Sequence, residues 1–151
     1  MRNTLFGAMF GIALSASFST LAYAAEHEVL MLNTNASGIM AFEPALLNVA
    51  VGDTVKFIPK DMGHNAESIE GLMPVGAASF KGDISAEIII KIEKEGVYVV
   101  QCNPHSMMAM VSVIVAGKAT NLAQIKEQAE NYSTKFVMNK TRLQEILAKI
   151  N

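Results

Sequence analysis

Between Glu28 and Gly117 the chain alternates short apolar runs with turn residues at roughly even spacing. Seven runs read as strands, over residues 28–33, 46–51, 54–59, 65–69, 87–93, 96–101 and 110–116. Gly52-Asp53 and Lys94-Glu95-Gly96 supply turns between them. Ile88, Ile90 and Ile92 fall on one face of their run, with Glu87, Lys91 and Glu93 opposite, the period-two signature of a sheet with one buried side. Tyr98, Val100 and Cys102 also share a face, so the cysteine closes a core-facing row at a strand's end. Many short strands with no long helix between them predict an all-β antiparallel sandwich or barrel.

After Gly117 the period changes. Leu122 and Ile125 follow a possible cap at Asn121, and Leu143, Ile146 and Leu147 follow one at Thr141. Residues 118–151 are therefore expected to form one or two helices folded back on a sandwich spanning residues 25–117. No repeat or low-complexity linker interrupts the chain.

Residues 1–24 read as a secretory signal peptide. Arg2 is the basic start, residues 5–14 are the apolar stretch, and Ala22-Tyr23-Ala24 fits a small-residue cleavage site. A membrane-spanning helix needs about 20 apolar residues, and Gly7, Gly11 and a run of Ser and Thr break this one. Export, in a bacterium to the periplasm, is the expectation. Removing 24 of the 151 residues leaves 127, enough for one domain with a sizeable core. Losing Arg2 takes 12 basic residues to 11 against 14 acidic, a net charge of −3. Without a basic run, nucleic acid is excluded as a natural partner.

A single cysteine cannot form an internal disulfide, and a free thiol in an oxidising compartment calls for an explanation. Cys102 has His105 three residues on and Met110 eight residues on, in one loop between two strands. Soft sulfur with imidazole selects copper or zinc over hard cations. One thiolate, two imidazoles and a weak axial thioether make a blue-copper electron-transfer centre. The second imidazole comes from His27 or His64. His27 lies just past the cleavage site, where an exposed surface imidazole is expected. His64 follows Gly63, which allows a tight turn, and precedes Asn65, whose amide can tie two ligand loops together. His64 is the expected fourth ligand.

These residues resemble the pseudoazurins, within the cupredoxin (type 1 copper) family. The matching words are Gly38-Ile39-Met40-Ala41-Phe42-Glu43-Pro44-Ala45, Gly52-Asp53-Thr54-Val55-Lys56-Phe57-Ile58-Pro59 and Gly63-His64-Asn65-Ala66-Glu67-Ser68-Ile69. Cys102-Asn103-Pro104-His105 through Met110 and Asn121-Leu122-Ala123-Gln124-Ile125 complete them. The resemblance implies an eight-stranded Greek-key sandwich with two C-terminal helices. It implies one copper ion on His64, Cys102, His105 and Met110, with Asn65 behind them. It implies a periplasmic electron carrier, monomeric and not an enzyme, that serves redox proteins such as copper nitrite reductase or a cytochrome. Electrons would pass through the edge of His105, in an apolar patch to which Met40, Pro104 and Met108 are assigned.

The sequence also departs from that family. Lysines that often ring this face are replaced by Thr34, Met62 and Gln101, leaving Lys60 and Lys81. Ala109 stands for a common glycine and Ser106 for a common aromatic. A less basic face predicts docking that is less sensitive to salt. Three other readings compete. A copper-storage or copper-delivery protein would present repeated Met or His motifs rather than one closed site. A cysteine-nucleophile enzyme would need a base and an orienting group around Cys102. A structural zinc site would make poor use of Met110.

Overall fold

The structure is a computed structural model that describes residues 24–150. The signal peptide expected over residues 1–24 lies outside the described residues except for Ala24. Eight strands follow in order: β1 (Glu26–Asn35), β2 (Gly38–Glu43), β3 (Leu46–Val49), β4 (Thr54–Pro59), β5 (Glu67–Ser68), β6 (Ile88–Lys91), β7 (Gly96–Gln101) and β8 (Val111–Ala116). Two helices, α1 (Leu122–Ser133) and α2 (Arg142–Leu147), complete the chain.

The strands form two four-stranded sheets, ordered β2-β1-β4-β6 and β3-β8-β7-β5. The sheets are mixed rather than antiparallel throughout: β1 pairs with β4, and β3 with β8, in parallel. Both parallel pairs join strands that are not consecutive, so nothing in the local turn chemistry announces them. β2 escaped the periodicity because Met40 adopts a left-handed backbone (φ 50) in its middle, and Ala41 and Phe42 are buried in succession. The expected strands over residues 65–69 and 87–93 shorten to two and four residues, which leaves His64 and Asn65 in a loop.

One apolar core lies between the sheets and includes Val29, Met31, Phe42, Phe57, Ile92, Tyr98, Val100 and Ile114. A second lies between the outer side of the β3-β8-β7-β5 sheet and the helices, joining Val97, Val99, Val113 and Val115 to Ile125, Phe136, Leu143 and Leu147. Residues of β7 and β8 therefore alternate between two cores, and every residue of β8 is buried. That accounts for their unbroken apolar sequence: a strand covered on both sides has no reason to alternate. Ile89, 57% exposed, marks the open side of the other sheet.

Helix α1 is fastened to β7 by the residue expected to cap it. Asn121 sits at the N-cap position without capping. Its Oδ1 accepts from the Val97 amide at 2.7 Å and its Nδ2 donates to the Val97 carbonyl at 3.0 Å. His27, expected to be a free surface imidazole, instead lies in β1, with Nε2 2.8 Å from Asp53 Oδ2.

Candidate metal centre

The centre is assembled from two loops at one end of the sandwich. Residues 60–66, after β4, bring His64. Gly63 takes a left-handed backbone (φ 92) just before it, open to glycine at little cost. Ser85 fixes this loop from the far side: its Oγ accepts from the Gly63 amide and its own amide donates to the His64 carbonyl, both at 2.8 Å. The second loop runs from Cys102 to Met110 between β7 and β8. It is laced by its own backbone, with the Cys102 amide donating to the Met110 carbonyl (3.0 Å) and the Met110 amide to the His105 carbonyl (3.3 Å). A single turn of 3-10 helix, Ser106–Met108, fills the interval.

Folding brings three donors into one triangle. His64 Nδ1 and His105 Nδ1 lie 3.1 Å apart, and Cys102 Sγ is 3.7 Å from the first and 3.4 Å from the second. A point equidistant from three atoms so spaced lies about 2.0 Å from each, close to the length of a bond from a first-row metal ion to imidazole nitrogen. The donor set and its spacing fit a trigonal His2Cys site. Met110 is fully buried in the same core as Cys102 and follows directly on the loop's last hydrogen bond.

The surroundings set the donors. Burial pushes the Cys102 thiol above its ordinary pKa, while the backbone N–H groups of Asn65 and His105 oppose that shift. Such a thiol would stay protonated on its own and would bind a metal ion as thiolate, its proton leaving to solvent as the metal–sulfur bond forms. Burial also lowers the pKa of His64, and the neighbouring His105 adds to the effect, so the ring is held in its neutral, ligating form. The second nitrogen of His64, Nε2, donates to Asn33 Oδ1 at 3.0 Å. Asn65 accepts from the Asn103 amide (2.8 Å), which links the loop of His64 to that of Cys102, and donates to the Gly82 carbonyl (3.0 Å).

Pro104 is exposed, His105, Met108 and Met40 are partly buried, and Met62 (72%) and Met107 (56%) stand out most. Gln101 accepts a hydrogen bond from the Tyr132 hydroxyl and so is engaged within the protein. Sequence reasoning missed Asn33, Ser85 and the stretch around Val137 and Met138, whose Val137 amide donates to the Met107 carbonyl at 2.8 Å. Asn33 and Ser85 lie in unremarkable polar positions, and Val137 is thirty residues from the loop it touches; no local pattern marks any of them.

Ala109 has a left-handed backbone (φ 56) where glycine is most at ease. The cost is about 1–2 kcal/mol. Its methyl is fully buried in the core beneath the helices, which returns about 0.8 kcal/mol. Burial thus offsets roughly half of the strain.

Comparison with known proteins places this geometry. Residues 29–117 match the model of copper binding proteins of the plastocyanin/azurin family. The chain is 40% identical to a pseudoazurin of Methylorubrum extorquens over 92% of this chain and 91% of that one. It is 39% identical to a pseudoazurin of Paracoccus pantotrophus, covering 74% of this chain and 81% of the relative. The crystal structure of native pseudoazurin from Hyphomicrobium denitrificans superposes with a TM-score of 0.74 at 42% identity, over 83% of this chain and 98% of that one. A trigonal His2Cys centre with a buried methionine beside it, on this fold and at this identity, has one type 1 copper ion as its cofactor. The chain belongs to the pseudoazurins, blue copper electron carriers of the plastocyanin/azurin family.

Proposed function

We propose that this protein is a periplasmic carrier of single electrons, with copper held by His64, Cys102 and His105 and, more weakly, by Met110. The observation that carries the reading is the triangle of 3.1, 3.4 and 3.7 Å among the three strong donors, already closed around a common centre. Bound there, copper supplies a one-electron Cu(II)/Cu(I) couple. The protein's part is to hold the donors still. Asn33 fixes the His64 ring, Asn65 locks one ligand loop to the other, and burial of Cys102 and Met110 keeps water from the sulfur ligands. Ligands that cannot rearrange make the two oxidation states similar in geometry, which speeds exchange.

His105 is the electron port of this reading. It alone of the three strong donors is partly exposed; Pro104, Met107 and Met108 share its loop, and Met40 is the further residue this reading assigns to the apolar patch. The partners are redox proteins with an apolar contact face, such as copper nitrite reductase, another respiratory reductase or a cytochrome. Such interfaces are small, below about 1,200 Å². With Thr34 and Met62 exposed where lysines are common in the family, association has a shallow salt dependence.

Copper storage or delivery is the competing reading, and reversibility separates the two. The copper-loaded protein is titrated with reductant and then oxidant while its visible spectrum is followed. An intense visible band that bleaches and returns with copper retained supports the carrier; copper lost to an acceptor on reduction supports delivery. Cys102→Ser is expected to abolish the band, and a blue C102S protein overturns the ligand assignment.

A further inference from the structure

Arg142, in the first turn of α2, is buried, with 9% exposure. Among the described residues no carboxylate lies within ion-pair distance of it. Its guanidinium donates instead to four backbone carbonyls. Nη1 reaches Met40 (2.6 Å) and Ala109 (3.1 Å), and Nη2 reaches Ile39 (3.0 Å) and Ser37 (3.3 Å). A side chain at Gly38 would begin only 3.3 Å from Nη2, so the guanidinium lies directly against the β1–β2 turn. Asn139, just before the helix, adds a bond from Nδ2 to the Met108 carbonyl at 3.1 Å.

The two residues that share Nη1 are distinctive. Met40 and Ala109 are both non-glycine residues with left-handed backbones, φ 50 and φ 56. Such conformations persist where their surroundings over-determine them, and here one planar fork holds both carbonyls. Ala109 is the residue before Met110. The C-terminal helix thus reaches over the sandwich and grips the sulfur end of the copper loop.

The same group brings charge. Carbonyl dipoles solvate the Arg142 cation but do not neutralise it, and a buried charge acts over longer distances than one in water. Reduction removes one positive charge from the centre, so a fixed cation nearby favours the reduced state.

We infer that Arg142 is a positioning residue for the copper loop, and that its buried cation raises the reduction potential of the centre. The inference rests on the copper reading above. The test is the midpoint potential and visible spectrum of the copper-loaded protein carrying Arg142→Gln or Arg142→Lys. R142Q keeps two donors but no charge; it is expected to stay blue while its couple shifts about tenfold toward Cu(II), equivalent to 59 mV for one electron. R142K restores the charge and is expected to lie within about twofold of the unsubstituted protein. A blue R142Q at the unsubstituted potential overturns the inference, as does an R142K shifted as far as R142Q.

Should R142Q fail to fold, nitrogen NMR of the unsubstituted Cu(I) protein reads the grip directly. Separate, slowly exchanging Nη protons support it, and one averaged, fast-exchanging guanidinium signal overturns it. An unsubstituted protein that takes up copper without any blue band overturns the copper reading itself, and this inference with it. That outcome is distinct from a blue protein indifferent to Arg142.

Discussion

Asn33 Oδ1 accepts a hydrogen bond from His64 Nε2 at 3.0 Å, across thirty-one residues of sequence. The bond fixes the proton on Nε2, so that Nδ1 faces Cys102 and His105 with its lone pair free. A partner of this kind typically contributes 10–100-fold in metal affinity. Asn33→Leu is accordingly expected to weaken metal binding by about 10–100-fold, read by competition with a chelator of known affinity. An N33L protein with unchanged affinity would show that packing alone orients the ring.

In the proposed centre Met110 is the weak donor, and a weak thioether favours Cu(I) more than an amide oxygen does. Met110→Gln should retain copper and lower the midpoint potential, measured by voltammetry on the purified protein. An unchanged potential would remove Met110 from the centre.

Asn65 is buried; its amide accepts from Asn103 in the other ligand loop and donates to the Gly82 carbonyl, which lies in neither loop. In Asn65→Ala, the buried Gly82 carbonyl and the Asn103 amide both lose a partner. An orphaned buried group costs about 1–3 kcal/mol. Asn103 is exposed and can turn to water, so the loss is dominated by Gly82. Urea unfolding of the metal-free protein should place N65A about 1–3 kcal/mol below the unsubstituted chain. A larger loss would show that the loop itself opens.

Asp53 anchors the other end of the sandwich. Its carboxylate accepts from His27, from the Ala25 amide and from the Ala50 amide, and these bonds, His27 foremost, bring its pKa down from 3.8 to about 2. A carboxyl depressed in the folded state stabilises above its unfolded pKa and ceases to do so as pH falls through the folded value. Thermal unfolding midpoints of Asp53→Asn should therefore lie below those of the unsubstituted protein at neutral pH. The gap should close between about pH 4 and pH 2. A gap that persists at pH 2 would assign the loss to packing instead.

The copper loop was legible because its chemistry is local. Cys102, His105 and Met110 lie within nine residues, and soft donors at that spacing restrict the metal whatever the fold. His64 was legible by elimination, since only three histidines exist. β2 was not, because one left-handed residue at Met40 breaks the two-residue period on which strand recognition depends. The parallel pairing of β1 with β4 was not, because register between distant strands is settled by which apolar faces can be buried together. Asn121 illustrates a third kind of miss: its type and position suit a helix cap, but the backbone N–H and C=O of Val97 offered its amide two bonds.

By itself the sequence determined the strand-rich body, the helical tail, and the candidate metal-binding side chains, because these follow from short-range periodicity and from the intrinsic chemistry of sulfur and imidazole. The tertiary structure alone decided that the donors close to a triangle with sides of 3.1 to 3.7 Å, that Asn33 orients His64, and that Arg142 grips both Met40 and Ala109. Each of these joins residues far apart in the chain. Their proximity is set by two buried cores sharing strands β7 and β8, and no local stretch of sequence carries that information.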